Sequence, residues 1–114
     1  MIFLLSMGIN PDLVRRQADR WYNRLARNYA PEYVAVQMGE ITEEDIKIQG
    51  IVSILLGTLR DEQRQAGKLP DNKKIGAELA EILRETFGLD PEQVYLTMEH
   101  IRTTLPRYRQ VPEA

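Results

Sequence analysis

Arginine is the residue type in this chain that is best placed for ligand chemistry. Five arginines lie between residues 15 and 27, and four of them follow the spacing of one helical face. These four are Arg16, Arg20, Arg24 and Arg27. Guanidinium groups bind phosphates, so the stripe is a candidate phosphate or nucleic-acid surface. The alternative, which we favour, is a solvated face with ion pairs to Glu78, Glu81 and Glu85 of a second helix, because complementary helices need no ligand.

Other residues that could do chemistry are few. His100 is the one histidine of the chain, and a lone histidine at the end of a predicted strand is more often structural than catalytic. Its neighbour Glu99 would point to the opposite face of that strand. An acidic run lacks the spacing and the glycine of a calcium loop, so we interpret it as a solvated loop. The run consists of Glu40, Glu43, Glu44 and Asp45. No phosphate-binding glycine loop, serine nucleophile elbow or helical histidine pair is present. The sequence therefore indicates no cofactor and no metal site.

Composition narrows the class of protein. The 114 residues are 43% hydrophobic and 28% charged with a net charge of -2, which is typical of one soluble domain over residues 1–114. Because the net charge is close to zero, we do not expect general binding of nucleic acid. The apolar start, residues 1–5, is too short for a membrane span. Without cysteine there are no disulfides, so we expect a cytoplasmic protein without membrane contact.

A repeat suggests the fold. Pro31-Glu32 begins a β-rich stretch that returns sixty positions later at Pro91-Glu92, and each copy follows a helix-like stretch. We expect helices at residues 11–28 and from about residue 71 to Gly88, with Trp21 and Phe87 in the core. The predicted strands are residues 2–5, 33–38, 51–56 and 94–98.

This order is a tandem β-α-β duplication, with halves at about residues 1–39 and 51–100. Such an α/β fold has a four-stranded mixed sheet with both helices on one face. The other sheet face would be bare in a chain of this size. Self-association is therefore expected, because a bare apolar face usually needs a partner.

Particular stretches of the chain resemble a known family. They are residues 72–85 (NKKIGAELAEILRE), residues 87–95 (FGLDPEQVY), residues 30–36 (APEYVAV) and the opening residues 2–4 (IFL). Together they are similar to the tautomerase superfamily, with the greatest likeness to its macrophage migration inhibitory factor branch. That resemblance implies a homotrimer whose sheets form a central barrel, with active sites between subunits.

The resemblance also implies a set of functional residues. The family uses an amino-terminal proline as a proton-transferring base, and Met1 stands at that place in this chain. Tyr95 matches a substrate-binding tyrosine, and Thr97 stands where the family has an asparagine. Arg60 is the remaining candidate for holding a substrate carboxylate, because arginine can bind one bidentately.

Three hypotheses of function follow. The first is a divergent keto–enol tautomerase or isomerase acting on a small α-keto or enol acid, with altered chemistry because the proline is absent. The second is a non-catalytic trimer that serves as an interaction or structural protein. The third is a ferredoxin-like binding module that uses the arginine-rich helix.

Overall fold

The computed structural model describes residues 8–69 and 71–109. The regular secondary structure of both ranges is helical, with no β-strand among these residues. We number the helices in chain order. They are α1 (Pro11–Arg27), α2 (Pro31–Gln37), α3 (Glu43–Gln65), α4 (Asn72–Glu85), α5 (Pro91–Thr104) and α6 (Pro106–Arg109).

The predicted α/β fold is therefore wrong. Residues 33–38 lie almost entirely in α2, residues 51–56 lie in the middle of α3, and residues 94–98 lie in α5. The predicted strand at residues 2–5 falls outside the described residues. A four-stranded sheet, a β-α-β duplication and a trimeric barrel of sheets all require strands that the described chain does not form. The tautomerase-like, macrophage migration inhibitory factor-like architecture is corrected accordingly.

Helices α1 and α4 were predicted correctly, because their start signals are local. Asn10 accepts hydrogen bonds from the backbone N–H groups of Asp12 and Leu13, at 3.0 and 3.3 Å. Asp71 caps α4 in the same way. Beyond the end of α4, Gly88 has a φ of +64°, the left-handed conformation that glycine adopts without strain.

The same kind of start signal explains why α5 is a helix rather than a strand. Pro91 occupies the first turn, and the side chain of Asp90 accepts a hydrogen bond from the backbone N–H of Glu92 at 3.0 Å. Asp90-Pro91-Glu92 therefore repeats the role of the sequence around Pro11. Helix α2 likewise begins with proline at Pro31. The Pro-Glu repeat marks two helix starts.

Helix α3 is the central element of the fold. It begins with a capping box, in which Asp45 N–H donates to Thr42 Oγ1 at 3.0 Å and Thr42 N–H donates to Asp45 at 3.2 Å. Three members of the acidic run that we interpreted as a loop, Glu43, Glu44 and Asp45, therefore form the first turn of α3, where carboxylates stabilise the positive end of the helix dipole. Helix α3 packs against α1, α4 and α5.

Two apolar clusters surround α3. The first joins its middle and C-terminal half to α1, α4 and the start of α5; among its members are Val14, Leu55, Leu59, Ile82 and Phe87. The second lies at the N-terminal end of α3 and contains Tyr22, Ala35, Ile41, Ile46, Ile101 and Leu105. Phe87 is buried as predicted, whereas Trp21 is only partly buried at the edge of the second cluster. Helix α1 thus packs one face on α3 and leaves its other face exposed.

Candidate functional site

The structure separates the residues that the resemblance assigned to an active site. Met1 lies outside the described residues. Tyr95 is exposed on α5 and lines a groove between α4 and α5, and Arg60 is exposed on α3, away from the lining of that groove. Thr97 follows Tyr95 by two residues on the same helix, which places it about 200° around the axis. Tyr95, Thr97 and Arg60 therefore do not form one pocket for a small acid.

The exposed side of α1 carries four arginines, which we call the arginine face. It consists of Arg16, Arg20, Arg24 and Arg27, and each of these residues is exposed. None of the four forms an ion pair with another residue in the part of the chain that the structure describes. The expected partners Glu78, Glu81 and Glu85 lie on α4, which packs on α3 rather than along α1. The arginine face is therefore not neutralised by the neighbouring helix.

Arg15, the fifth arginine of α1, has a different role. Its Nη2 donates a hydrogen bond to the backbone carbonyl oxygen of Phe87 at 3.0 Å. Its guanidinium carbon also lies 5.5 Å from the centroid of the Phe87 ring, which is a cation–π distance. Arg15 therefore holds the start of α1 against the end of α4. The other four arginines are not used in this way.

Asp19 of α1 forms an ion pair with a residue of α3. Lys47 Nζ lies 3.2 Å from Asp19 Oδ1 and 2.8 Å from Glu43 Oε2. The hydrogen bond with Glu43, helped by Asp19, raises the pKa of Lys47 above its ordinary value. Asp19 is thus engaged with α3. It forms no ion pair with the arginine face among the described residues.

A cleft beside the arginine face contains Trp21, the one tryptophan of the chain. The cleft has a volume of about 330 Å³ and is lined by Gln17, Trp21, Arg24, Gly50, Ser53 and Ile54. Gly50 lets the indole approach α3 closely, because a Cβ at this position would lie 2.9 Å from Trp21 Cε3. The cleft therefore combines an apolar ring with a guanidinium, an amide and a hydroxyl group, which suits a planar ligand with a polar edge.

Sequence reasoning placed Trp21 in the core and did not find this cleft. The missing information was the position of α3, since the acidic run at its start was interpreted as a solvated loop and residues 51–56 as a strand. Trp21 does follow Gln17 by four residues and precede Arg24 by three, so these three side chains share a stripe of α1. That spacing was the one available signal.

An apolar groove lies between α4 and α5. It has a volume of about 310 Å³ and is lined by Val52, Gly76, Leu79, Ala80, Leu83, Pro91, Val94, Tyr95 and Met98. Tyr95 at its edge is 65% exposed, and the adjacent Leu96 is 56% exposed. Both helices pack on α3, and Val52 of α3 lines the groove between them.

His100 has a structural role in this fold. Its Nε2 lies 2.8 Å from the backbone carbonyl oxygen of Glu40, and because a carbonyl only accepts, this nitrogen carries the hydrogen. The side chain of Glu40 also pairs with Arg107, with Nη2 and Oε2 2.7 Å apart. These contacts fasten α5 and α6 to the turn before α3. Among the described residues no carboxylate is hydrogen-bonded to His100.

Comparison with known proteins supplies no family. No family model matches the chain, and no curated protein or solved structure matches it either. The resemblance to the tautomerase superfamily is therefore not supported, and no family relationship supports an isomerase. Of the helices that the structure describes, none is both long and apolar enough to cross a membrane.

Proposed function

We propose that this protein is a helical module that binds single-stranded nucleic acid through the arginine face of α1. The observation that carries the proposal is the set of four exposed guanidinium groups that have no acidic partner among the described residues. It develops the expectation of a binding module with an arginine-rich helix, now on an all-helical fold. A cytoplasmic location, expected from the sequence, belongs to the same proposal.

The charge distribution supports this proposal despite the small net charge. The value of -2 is an average over the whole chain, and a ligand responds to the local potential of the surface it contacts. From Arg16 to Arg27 the arginine face extends about 16 Å along α1, at 1.5 Å per residue. A nucleic-acid strand presents a regular series of phosphates along such a surface, and guanidinium groups can bind them bidentately.

The Trp21 cleft favours a single strand over a duplex or an acidic peptide. In single strands the bases are free to stack on aromatic side chains, and this stacking contributes about 1–3 kcal/mol per base. Gln17, Arg24 and Ser53 at the cleft provide hydrogen-bonding groups for the edge of a stacked base. A base-paired duplex would offer phosphates to the arginine face but no free base to the cleft. An acidic peptide places a ring there only where it carries an aromatic residue, whereas every nucleotide of a single strand carries a base.

The proposal replaces keto–enol chemistry as our interpretation. Catalysis at Met1 stays a prediction that the described residues do not address. Its support came from the tautomerase resemblance, which is not upheld. The arginine face and the Trp21 cleft are observed in the folded chain itself, so the proposal does not depend on similarity to another protein.

The test is a fluorescence titration of the full-length protein with a single-stranded oligonucleotide. Since Trp21 is the one tryptophan, its emission reports directly on the cleft. We expect quenching on binding, with an affinity that falls as salt rises. If all four arginines contact phosphates, the logarithm of the binding constant should change with the logarithm of salt concentration with a slope of about -2.8, from -0.7 per phosphate.

Matched variants make the result specific. In Arg20→Gln/Arg24→Gln the slope should become shallower by about 1.4, because two phosphate contacts are lost. Lys68→Gln/Arg109→Gln removes two exposed cations outside α1 and should leave both affinity and slope unchanged. Equal loss in the two variants would show that binding is nonspecific. Tighter binding of duplex or of an acidic peptide than of the single strand, or no quenching at low salt, would refute the proposal.

A further inference from the structure

The groove between α4 and α5 leaves apolar side chains without a partner in one copy of the described chain. Leu79, Met98 and the 65% exposed Tyr95 line it. We propose that a second copy of the chain covers this groove, so that the protein forms a two-fold homodimer through α4 and α5. This surface is distinct from the arginine face, and the inference does not rest on the proposed function.

The two edges of the groove carry opposite charges. On α4, Lys73, Gly76, Ala80 and Arg84 follow one another at three- and four-residue spacing, which forms one stripe that we call the basic edge. On α5, Glu92, Tyr95, Glu99 and Arg102 follow one another at the same spacing. Two carboxylates and one guanidinium give this stripe a net charge of -1, and we call it the acidic edge. Within this edge Glu99 accepts two hydrogen bonds from Arg102, at 3.2 and 2.7 Å, so Glu92 carries the charge that remains. The other three charged residues of the two edges have no ion-pair partner among the described residues.

Opposite charges on the two edges suit a copy related by a two-fold axis. When the two-fold axis runs along the groove, the acidic edge of each subunit lies on the basic edge of the other, and this contact occurs twice. A pair of like edges would instead repel. The charge pattern therefore favours a second copy of this chain over a partner of uniform charge, which one edge would attract while the other repelled it.

Side-chain size along the edges fits the same arrangement. The basic edge has the small residues Gly76 and Ala80 at its centre, and a Cβ added at Gly76 would meet no atom within 4 Å. The acidic edge has the exposed Tyr95 at its centre. When an acidic edge lies along a basic edge, Tyr95 of one copy can occupy the open space beside Gly76 of the other. Buried tyrosines of this kind often contribute much of the affinity of an interface.

Sedimentation and light scattering of the full-length protein over a range of concentrations test the inference. We expect a reversible monomer–dimer equilibrium. Glu92→Lys/Glu99→Lys makes both edges basic, and Lys73→Glu/Arg84→Glu makes both edges acidic. Each variant alone should be monomeric, and an equimolar mixture of the two should form a heterodimer, seen by native mass spectrometry. Restoration in the mixture also shows that both variants are folded.

Several outcomes would overturn the inference. They include a native protein that is monomeric at every soluble concentration, a trimer, and a dimer that either charge variant leaves intact. Residues 1–5 are apolar and are the rival occupant within the chain. Loss of the dimer in Phe3→Ser/Leu4→Ser would assign the association to that segment. Arg20→Gln/Arg24→Gln should still form the dimer, because the arginine face lies outside the proposed interface. This variant therefore separates the dimer test from the nucleic-acid test.

Discussion

Two glycines of α3 should respond in opposite directions to the same substitution. Gly50 and Gly57 both lie within Glu43–Gln65, seven residues apart. At Gly57, which is exposed, an added Cβ would meet nothing within 4 Å. At Gly50, which is buried, it would lie 2.9 Å from Trp21 Cε3 and 3.2 Å from Ala18 Cβ. Replacement of each glycine by alanine therefore compares one change in two surroundings on one helix.

The expected magnitudes follow from these distances. Gly57→Ala should raise the free energy of unfolding by about 0.5–1 kcal/mol, because alanine loses less backbone entropy in a helix interior. Gly50→Ala has the same favourable effect on backbone entropy. The added Cβ must also displace Trp21 or separate α1 from α3, and overpacking of this kind costs about 1–3 kcal/mol. The net result is a loss of about 1 kcal/mol. The two variants should then differ by about 2 kcal/mol.

Urea unfolding followed by helical circular dichroism measures both values, provided that the transition is two-state. In thermal unfolding the two midpoints should be separated by about 8 °C, at about 4 °C per kcal/mol for a chain of this size. The emission of Trp21 should change in Gly50→Ala and not in Gly57→Ala. Stabilisation of both variants by the same amount would refute the close packing of α1 on α3, and with it the position of the Trp21 cleft.

Three further predictions concern stability. Thr42→Ala removes the cap of α3 and should cost about 1 kcal/mol in urea unfolding, whereas Thr58→Ala should cost little because its hydroxyl bonds back to its own helix; equal costs would contradict the capping box. Burial raises the pKa of Tyr22 above its ordinary value of 10.0. The stability that the protonated Tyr22 contributes to the folded state is therefore fully present below pH 10.0 and is lost as the pH rises further. Tyr22→Phe should therefore lose less stability than the native protein in alkaline urea titrations, and an unchanged alkaline profile would refute this. Leu55→Ala should lower the free energy of unfolding by about 2–5 kcal/mol, while Leu69→Ala, at a position 90% exposed, should stay within about 0.5 kcal/mol; a small effect at Leu55 would contradict the core.

The parts of the fold that sequence analysis predicted correctly have local causes. The cap at Asn10 and the amphipathic spacing that follows it predict α1, and Asp71 and Gly88 bound α4 in the same way. Each signal lies within a few residues of the structure it determines. Such signals act through hydrogen bonds and backbone conformations of the same helix end, so they do not depend on the rest of the chain.

Strands were predicted wrongly where the β-propensity of the side chains disagreed with the helix-start signals that precede them. Residues 33–38 and 51–56 contain β-branched, aromatic and leucine side chains, which indicated strands. Propensity is a weak preference that neighbouring structure overrides. The stronger signals were Pro31 and Pro91 at helix starts and the capping box at Thr42. Once α3 begins at Glu43, its apolar run becomes the buried face of a long central helix.

The binding surfaces depended even more on tertiary structure. The sequence by itself determined that four arginines share one face of α1, because helical spacing is a local property. Whether α4 would neutralise them was decided by packing: α4 lies on α3, so Glu78, Glu81 and Glu85 do not pair with α1 among the described residues. The Trp21 cleft likewise exists only because Gly50 of α3 lies beside the indole. Contacts between residues distant in sequence set which charges stay free, and those contacts follow from how the apolar faces of all the helices are buried together.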